Sequence, residues 1–212
     1  MNDQVNLSID GHVKIWDPVS REVYVDQHNA INAETMSIIA ARMLQGNNDT
    51  YIYEMHFGNG GAIIDTTGNI TYRDASLNLE AGTAAGLFNP TYSKVVAGSL
   101  DPENGADPEN EDPTRNKVET AHTPGLKYTD LVITCTLEQD EPAGQLNVDN
   151  ADMKVDILTN PDGEFIFNEL GLRSKGTGSL PSYLLSQIVF HPVQKSANRV
   201  IQVVYTLRLR VT

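Results

Sequence analysis

The chain has 212 residues, 40% hydrophobic and 20% charged, enough for one sizeable core and typical of globular rather than disordered proteins. Its 15 basic residues against 28 acidic give a net charge of −13, so most of the surface repels phosphate backbones, and neither sequence-specific nor general duplex binding is expected. The single cysteine, Cys135, excludes a disulfide framework and a cysteine zinc cluster, and no apolar run is long enough to cross a bilayer.

In chain order, "HVKIWD" and "REVYVD" read as a strand pair around the turn-like "PVS". Val13 and Ile15, like Val23 and Val25, alternate with polar neighbours, which sets Trp16 and Tyr24 on the other face. "HNAINAETMSIIAARMLQGNN" is the best helix, with Asn32 as its N-cap and Glu34 near the positive end of its dipole. Met36, Ile39, Ala40, Met43 and Leu44 form one apolar stripe expected to pack on the core, and Gly46 sits where a left-handed residue ends the helix. "TYIYEMHF" alternates again. "GNGGAIIDTTGNITYRD" holds two turn signals, Gly58 to Gly61 and Thr67-Gly68-Asn69, around short β-prone pieces.

Residues 74–117 have no sustained periodicity and read as an irregular insertion. Its centre is the acidic arm 101–113, "DPENGADPENEDP", with six acids and three prolines in thirteen residues. Such a segment resists both helix and strand and is expected to be an exposed, functional loop. The rest is β-rich. "YTDLVITCTLEQ" alternates through Leu131, Ile133, Cys135 and Leu137; "DMKVDILTNPDGEFIFNEL" reads as two strands around Pro161-Asp162-Gly163. "SYLLSQIVFHPVQ" is a buried segment closed by Pro192, and "VIQVVYTLRLRVT" gives the cleanest alternation in the chain, with only Val204 out of step. The expected fold is therefore mainly β with one early α-helix, a single sandwich or barrel-like domain over 1–212 with a long acidic loop insertion.

The residues point to no catalytic constellation. The turn Gly58-Asn59-Gly60-Gly61 is followed by Ala62 and Ile63 rather than the lysine and hydroxyl residue of a phosphate loop, and the next stretch is β-prone rather than helical. It reads as a structural turn allowing positive φ or a close backbone approach. His12, His28, His56, His122 and His191 are scattered without metal-ligand spacing, Cys135 looks like a core residue, and no G-x-S-x-G serine is present. The acidic arm lacks the ligand spacing of a calcium loop. No enzyme activity, cofactor or metal is expected. The N-terminal "MNDQVNLSIDGHVKIW" has no basic region leading into an apolar one, so no secretion signal is expected.

"VKIWDPVSREVYVDQHNAINAETMSIIAARML" followed by "YIYEMHFGNGG" resembles virion structural proteins of contractile-tailed bacteriophages, in which a strand pair leads into an "NAI" helix and an "FGNGG" turn. Asn29-Ala30-Ile31 and Phe57-Gly58-Asn59-Gly60-Gly61 are the matching positions, and "LFNPTYSKVV", "YTDLVITCTLE" and "VFHPVQKSANRVIQVVYTL" are similar to that group as well. The resemblance implies a non-enzymatic structural subunit, in the virion and in the host cytoplasm during assembly. Its partners would be itself and other virion proteins, as a homo-oligomeric ring or lattice at the neck, tail or capsid surface. An acidic surface would also suit the wall of a channel through which DNA slides. Inter-subunit contact is expected from the arm, at Asp101, Glu103, Asp107, Glu109, Glu111 and Asp112. The terminal strand is the second expected contact, at Arg199, Gln202, Arg208 and Arg210, by augmentation of a neighbour's sheet. The alternative is a carbohydrate-binding β-sandwich for attachment, possible with calcium, using Trp16 and the tyrosines as stacking faces.

Overall fold

A computed structural model describes residues 6–46, 50–79, 85–98, 107–139, 141–142, 165–176 and 181–212. The expected turn at Pro161-Asp162-Gly163, the strand before it, and Asp101 and Glu103 lie outside the described residues. The described residues are mostly β, with one α-helix and two large antiparallel sheets in a sandwich-like arrangement.

The first sheet has the order β2-β1-β12-β9-β8, from strands Val23–His28, Leu7–Trp16, Ile201–Val211, Tyr128–Leu137 and Lys117–Ala121. The second has the order β3-β11-β10-β4-β7, from Ala30–Ile31, Leu184–Lys195, Phe165–Ser174, Ile52–Gly58 and Pro90–Val95. A separate hairpin pairs β5 (Ala62–Ile64) with β6 (Ile70–Tyr72). The alternation expected along β1, β9 and β12 is realised, with Val13, Ile15, Ile133, Cys135, Leu137, Val203, Tyr205 and Leu207 all buried; on β2 only Val25 is buried, and Val23, beyond the register shift at Ile15 and Trp16, is 46% exposed. The buried residues meet Met55, Phe57, Leu170, Leu172 and Ile188 of the second sheet in one core. Tyr205 keeps its hydroxyl satisfied there by donating to Ser186 Oγ, 2.6 Å away.

Several expectations are corrected. Residues 74–117 are not wholly irregular, because Pro90–Val95 forms edge strand β7 of the second sheet. β12 is not edge-like: it is the middle strand of its sheet, bonded to β1 from Leu7↔Val211 to Trp16↔Gln202 and to β9 from Ile201↔Leu137 to Arg210↔Tyr128. Its backbone is used on both sides and cannot augment a neighbour's sheet. Pro192 does not close β11; it falls where the pairing jumps from Phe167↔Val193 to Glu169↔Val189, a bulge in which its missing N–H is not needed.

Helix α1 spans Ala33–Leu44, capped by Asn32 through a 3.1 Å bond from the Thr35 amide to Asn32 Oδ1, and Gly46 follows its end at φ +83°. Its apolar stripe is only half used. Thr35 and Ile39 are buried and Met36 packs against the core, whereas Met43 and Leu44 are 63% and 91% exposed. The helix packs on β11, and in its last turn Arg42 lies over the Tyr183 ring at 5.9 Å while Met43 and Leu44 face solvent. Asn32→Ala is therefore expected to cost about 1 kcal/mol in chemical denaturation, while Leu44→Ser should change stability by less than about 0.5 kcal/mol. A large Leu44 effect would show that the exposed end of the helix is packed.

Candidate functional site

Among the described residues, Glu169 is a carboxylate fully buried on a central strand, β10. Strand alternation sends Leu170 and Leu172 to the core, so Glu169 projects from the opposite face of the second sheet, where two loops cover it. Its Oε1 accepts from the Gly60 amide at 3.0 Å and the Asn89 amide at 2.7 Å; its Oε2 accepts from the Phe88 amide at 2.9 Å and Gln187 Nε2 at 3.0 Å. Burial pushes its pKa above the usual glutamate range, against the downward pull of these four bonds.

The neighbouring Asn168 completes the tie. Its Oδ1 accepts from the Gly61 amide at 2.8 Å, and its Nδ2 donates to Asn59 O at 2.9 Å. Asn89 Nδ2 donates to Asn59 Oδ1 at 2.6 Å. The "FGNGG" turn and the "LFNP" loop thus meet on one strand. None of the turn's residues has a positive φ, so glycine is required by proximity and not by backbone sign. A Cβ on Gly58 would stand 2.5 Å from the Asn89 carbonyl oxygen, and one on Gly60 would stand 2.7 Å from the Asn89 nitrogen. The amides do form an anion cradle, and the anion is the chain's own glutamate.

Beside this knot is a cleft of about 190 Å³ lined by His28, Arg73, Asp74 and Gln187 among others. Its chemical groups are largely committed: Arg73 lies over the Phe88 ring at 5.0 Å, Asp74 caps the turn at Ser76, and His28 Nδ1 is 3.1 Å from Gly11 O. His12 packs edge-on against His28, its partner across β1 and β2, with ring centroids 5.4 Å apart, whereas His56, His122 and His191 stand apart. His12 meets Asp26 at 2.8 Å, His56 meets Glu54 at 2.7 Å, His122 contacts Tyr128 O at 3.1 Å, and His191 contacts the Tyr72 hydroxyl at 3.0 Å. Among the described residues no three His, Cys, Asp or Glu side chains gather as a metal set. Cys135 is fully buried, which pushes its thiol up to about 12.

The described part of the acidic arm is tied to its own domain. Asp107 Oδ2 accepts from the Tyr51 hydroxyl at 3.0 Å and from Lys175 Nζ at 2.8 Å, and Tyr53 donates to Glu109. Lys175 lies over both tyrosine rings, 5.7 and 4.6 Å from their centroids. Burial opposes ionisation of Asp107, but the bonds from Lys175, the Glu109 amide and Tyr51 outweigh it and hold its pKa below the usual range. Asp112 closes a turn onto the Thr114 amide, and Glu111 is exposed. On the terminal segment, Arg199 stacks over Tyr24, Gln202 donates to Thr136 Oγ1, and Arg208 makes a two-pronged contact with Asp130 at 2.7 and 2.8 Å. Arg210 is exposed. Asp101 and Glu103 lie outside the described residues; of the other eight expected contact residues, Asp107, Glu109, Asp112, Arg199, Gln202 and Arg208 make contacts within the chain, and Glu111 and Arg210 are exposed.

Two apolar surfaces outside the expected contacts are left uncovered by the described residues. One is a groove of about 660 Å³ whose lining includes Leu7, Leu126, Lys127, Leu209 and Val211. The other is the β5–β6 hairpin, with Ile63 and Ile64 exposed. No protein-family model, curated protein or solved structure matches the chain.

Glu169→Gln keeps the shape of the side chain but sets an amide donor against amide donors. Urea denaturation should show a loss of roughly 2–4 kcal/mol, and a near-neutral result would show that the two loops do not depend on the carboxylate. For the Asp107 latch the sign follows from its lowered pKa. The stabilisation is present above the unfolded value of about 3.9 and is lost as pH falls through the folded one. Asp107→Ala at neutral pH should lower the hydrogen-exchange protection factors of the Glu109 and Asn110 amides roughly tenfold, and acidifying the unmodified chain through the lowered folded pKa should lower the same protection factors.

Proposed function

We propose that this chain is a structural subunit of a tailed-bacteriophage virion, which acts by assembling with copies of itself and with other virion proteins. The observation that carries the reading is the way the molecule spends its groups. Many of the carboxylates, amides and histidines that could have built an open site are engaged with one another, while large apolar side chains stand exposed, among them Leu7, Leu126 and Val211 along the groove, Ile63 and Ile64 on the hairpin, and Leu44 at the end of the helix. Contiguous exposed apolar surface on a domain that already has a full core is a mark of assembly. The "NAI" and "FGNGG" positions that carry the resemblance support it: Ala30–Ile31 is the short strand leading into the helix, and the turn is the piece held by Glu169.

A sugar-binding module would need an open aromatic face. Lys14 lies 5.4 Å over the Trp16 ring, and Tyr51 and Tyr53 frame Lys175, so these rings already carry cations of the chain.

Sedimentation velocity across a wide concentration range, with negative-stain microscopy of the same samples, tests the proposal. The expected outcome is a discrete higher-order species, closed as a ring or extended as a lattice. A monomer at every concentration overturns self-assembly, and absence of the chain's peptides from purified phage particles overturns the virion assignment.

A further inference from the structure

We propose that the β5–β6 hairpin of one copy seats in the apolar groove of a second copy, joining copies head to tail. The inference rests on the self-assembly reading above and adds the two surfaces that meet.

The hairpin is a preformed knob. Two three-residue strands are marginal alone in water, yet this pair is fixed at both ends. At the tip, Asp65 Oδ1 accepts from the Thr67 amide at 2.8 Å, the Thr67 hydroxyl at 2.7 Å and the Asn69 amide at 2.9 Å; its Oδ2 accepts from Asn69 Nδ2 at 3.0 Å. At the base, the Arg73 amide donates to Gly61 O at 2.8 Å, and the Tyr72 hydroxyl lies 3.0 Å from His191 Nδ1. Ile63 and Ile64, consecutive on β5 and so on opposite faces of the hairpin, are 46% and 44% exposed. A rigid apolar element loses little conformational freedom on docking.

The groove exists because the core-facing side of the first sheet continues past its cover. Along one face of β12, Leu207 is 1% exposed, Leu209 is partly exposed and Val211 is 47% exposed, with Leu7 opposite Val211 on β1. Leu126, from the turn before β9, forms another wall. The space, about 660 Å³, is in the range of ligand pockets and ample for two isoleucine side chains.

Charge matches as well as shape. Asp65 at the knob's tip is held ionised, its pKa well below the usual carboxylate range because of the hydrogen bonds from Thr67 and Asn69. The groove carries Lys127, exposed and without a side-chain partner among the described residues. On a chain of net charge −13, a free cation beside bare apolar surface favours an acid-tipped knob over an arbitrary approach. The knob stands beside β11 of the second sheet, and the groove belongs to β1, β9 and β12 of the first. A contact between two different surfaces of identical chains is heterologous, so it closes into a ring or runs on as a filament.

Cross-linking tests this directly, because Cys135, the only cysteine, is buried. Ile64→Cys and Leu126→Cys each supply the sole accessible thiol. Mixed under mild oxidation, the two single variants should give a covalent dimer containing one of each, and the double variant a ladder of multimers, with neither single variant doing so alone. The pair Ile63→Ser and Ile64→Ser should weaken self-association roughly tenfold or more. Near-ultraviolet circular dichroism checks that the fold is retained. Higher-order assembly without the mixed cross-link overturns the knob-and-groove contact and leaves the self-assembly reading standing. A monomer at every concentration overturns both.

Discussion

A carboxylate inside a sheet wall is the constraint on which the second sheet depends. Removing an ion from water costs several kcal/mol even after the surroundings relax, and Glu169 recovers it only from donors that the strand itself cannot supply. Three of the four are backbone amides from loops 80 to 109 residues away in sequence. Those loops must therefore arrive in one arrangement, and they bring the start of β7 and the approach to the hairpin with them. The glycines follow from the same requirement. Asn89 and Glu169 come so near the turn at Gly58 and Gly60 that any Cβ there would overlap them.

The acidic composition looks different once its local use is visible. Asp17, Asp65, Asp74, Asp107 and Asp112 each accept from the amide two residues further on, at Val19, Thr67, Ser76, Glu109 and Thr114. These are side-chain-closed turns, in which a short acceptor replaces a backbone carbonyl. Part of the negative charge is thus the chemistry by which connections are made rigid, including the Asp107-Pro108 and Asp112-Pro113 pairs. Asp107 goes further, adding Tyr51 and Lys175 to hold the segment against the end of β4.

The parts legible in the sequence are those governed by periodicity. β1, β9 and β12 alternate so cleanly because one face is core and the other solvent, and the helix announced its cap and its terminating glycine. What stayed hidden was set by distant partners. β7 begins at a proline and has only one buried residue, Thr91, so its alternation carries no apolar signal. Asn168 and Glu169 interrupt an apolar run and could have been marked as odd, but a buried glutamate has the same letter as a solvated one. Its partners are backbone amides, which the sequence does not distinguish. The stripe on α1 and the position of β12 failed for the opposite reason: the local pattern was right, but how far the opposing sheet extends, and which strand comes to lie beside which, are properties of the whole fold.

That extent also explains how a chain so rich in like charge can present surfaces for assembly. Repulsion between copies acts over roughly a Debye length, about 8 Å at physiological salt, and is blunted wherever acids are paired, as at Asp107 with Lys175 and Asp130 with Arg208. Burial of aliphatic surface acts only on contact and is indifferent to the sign of the net charge. A charged exterior with small bare apolar elements therefore suppresses indiscriminate association while leaving the closely fitted one open. The rim of the first sheet along Leu7, Leu126 and Val211, and the hairpin beside the second sheet, are two of the places where this fold leaves aliphatic side chains exposed.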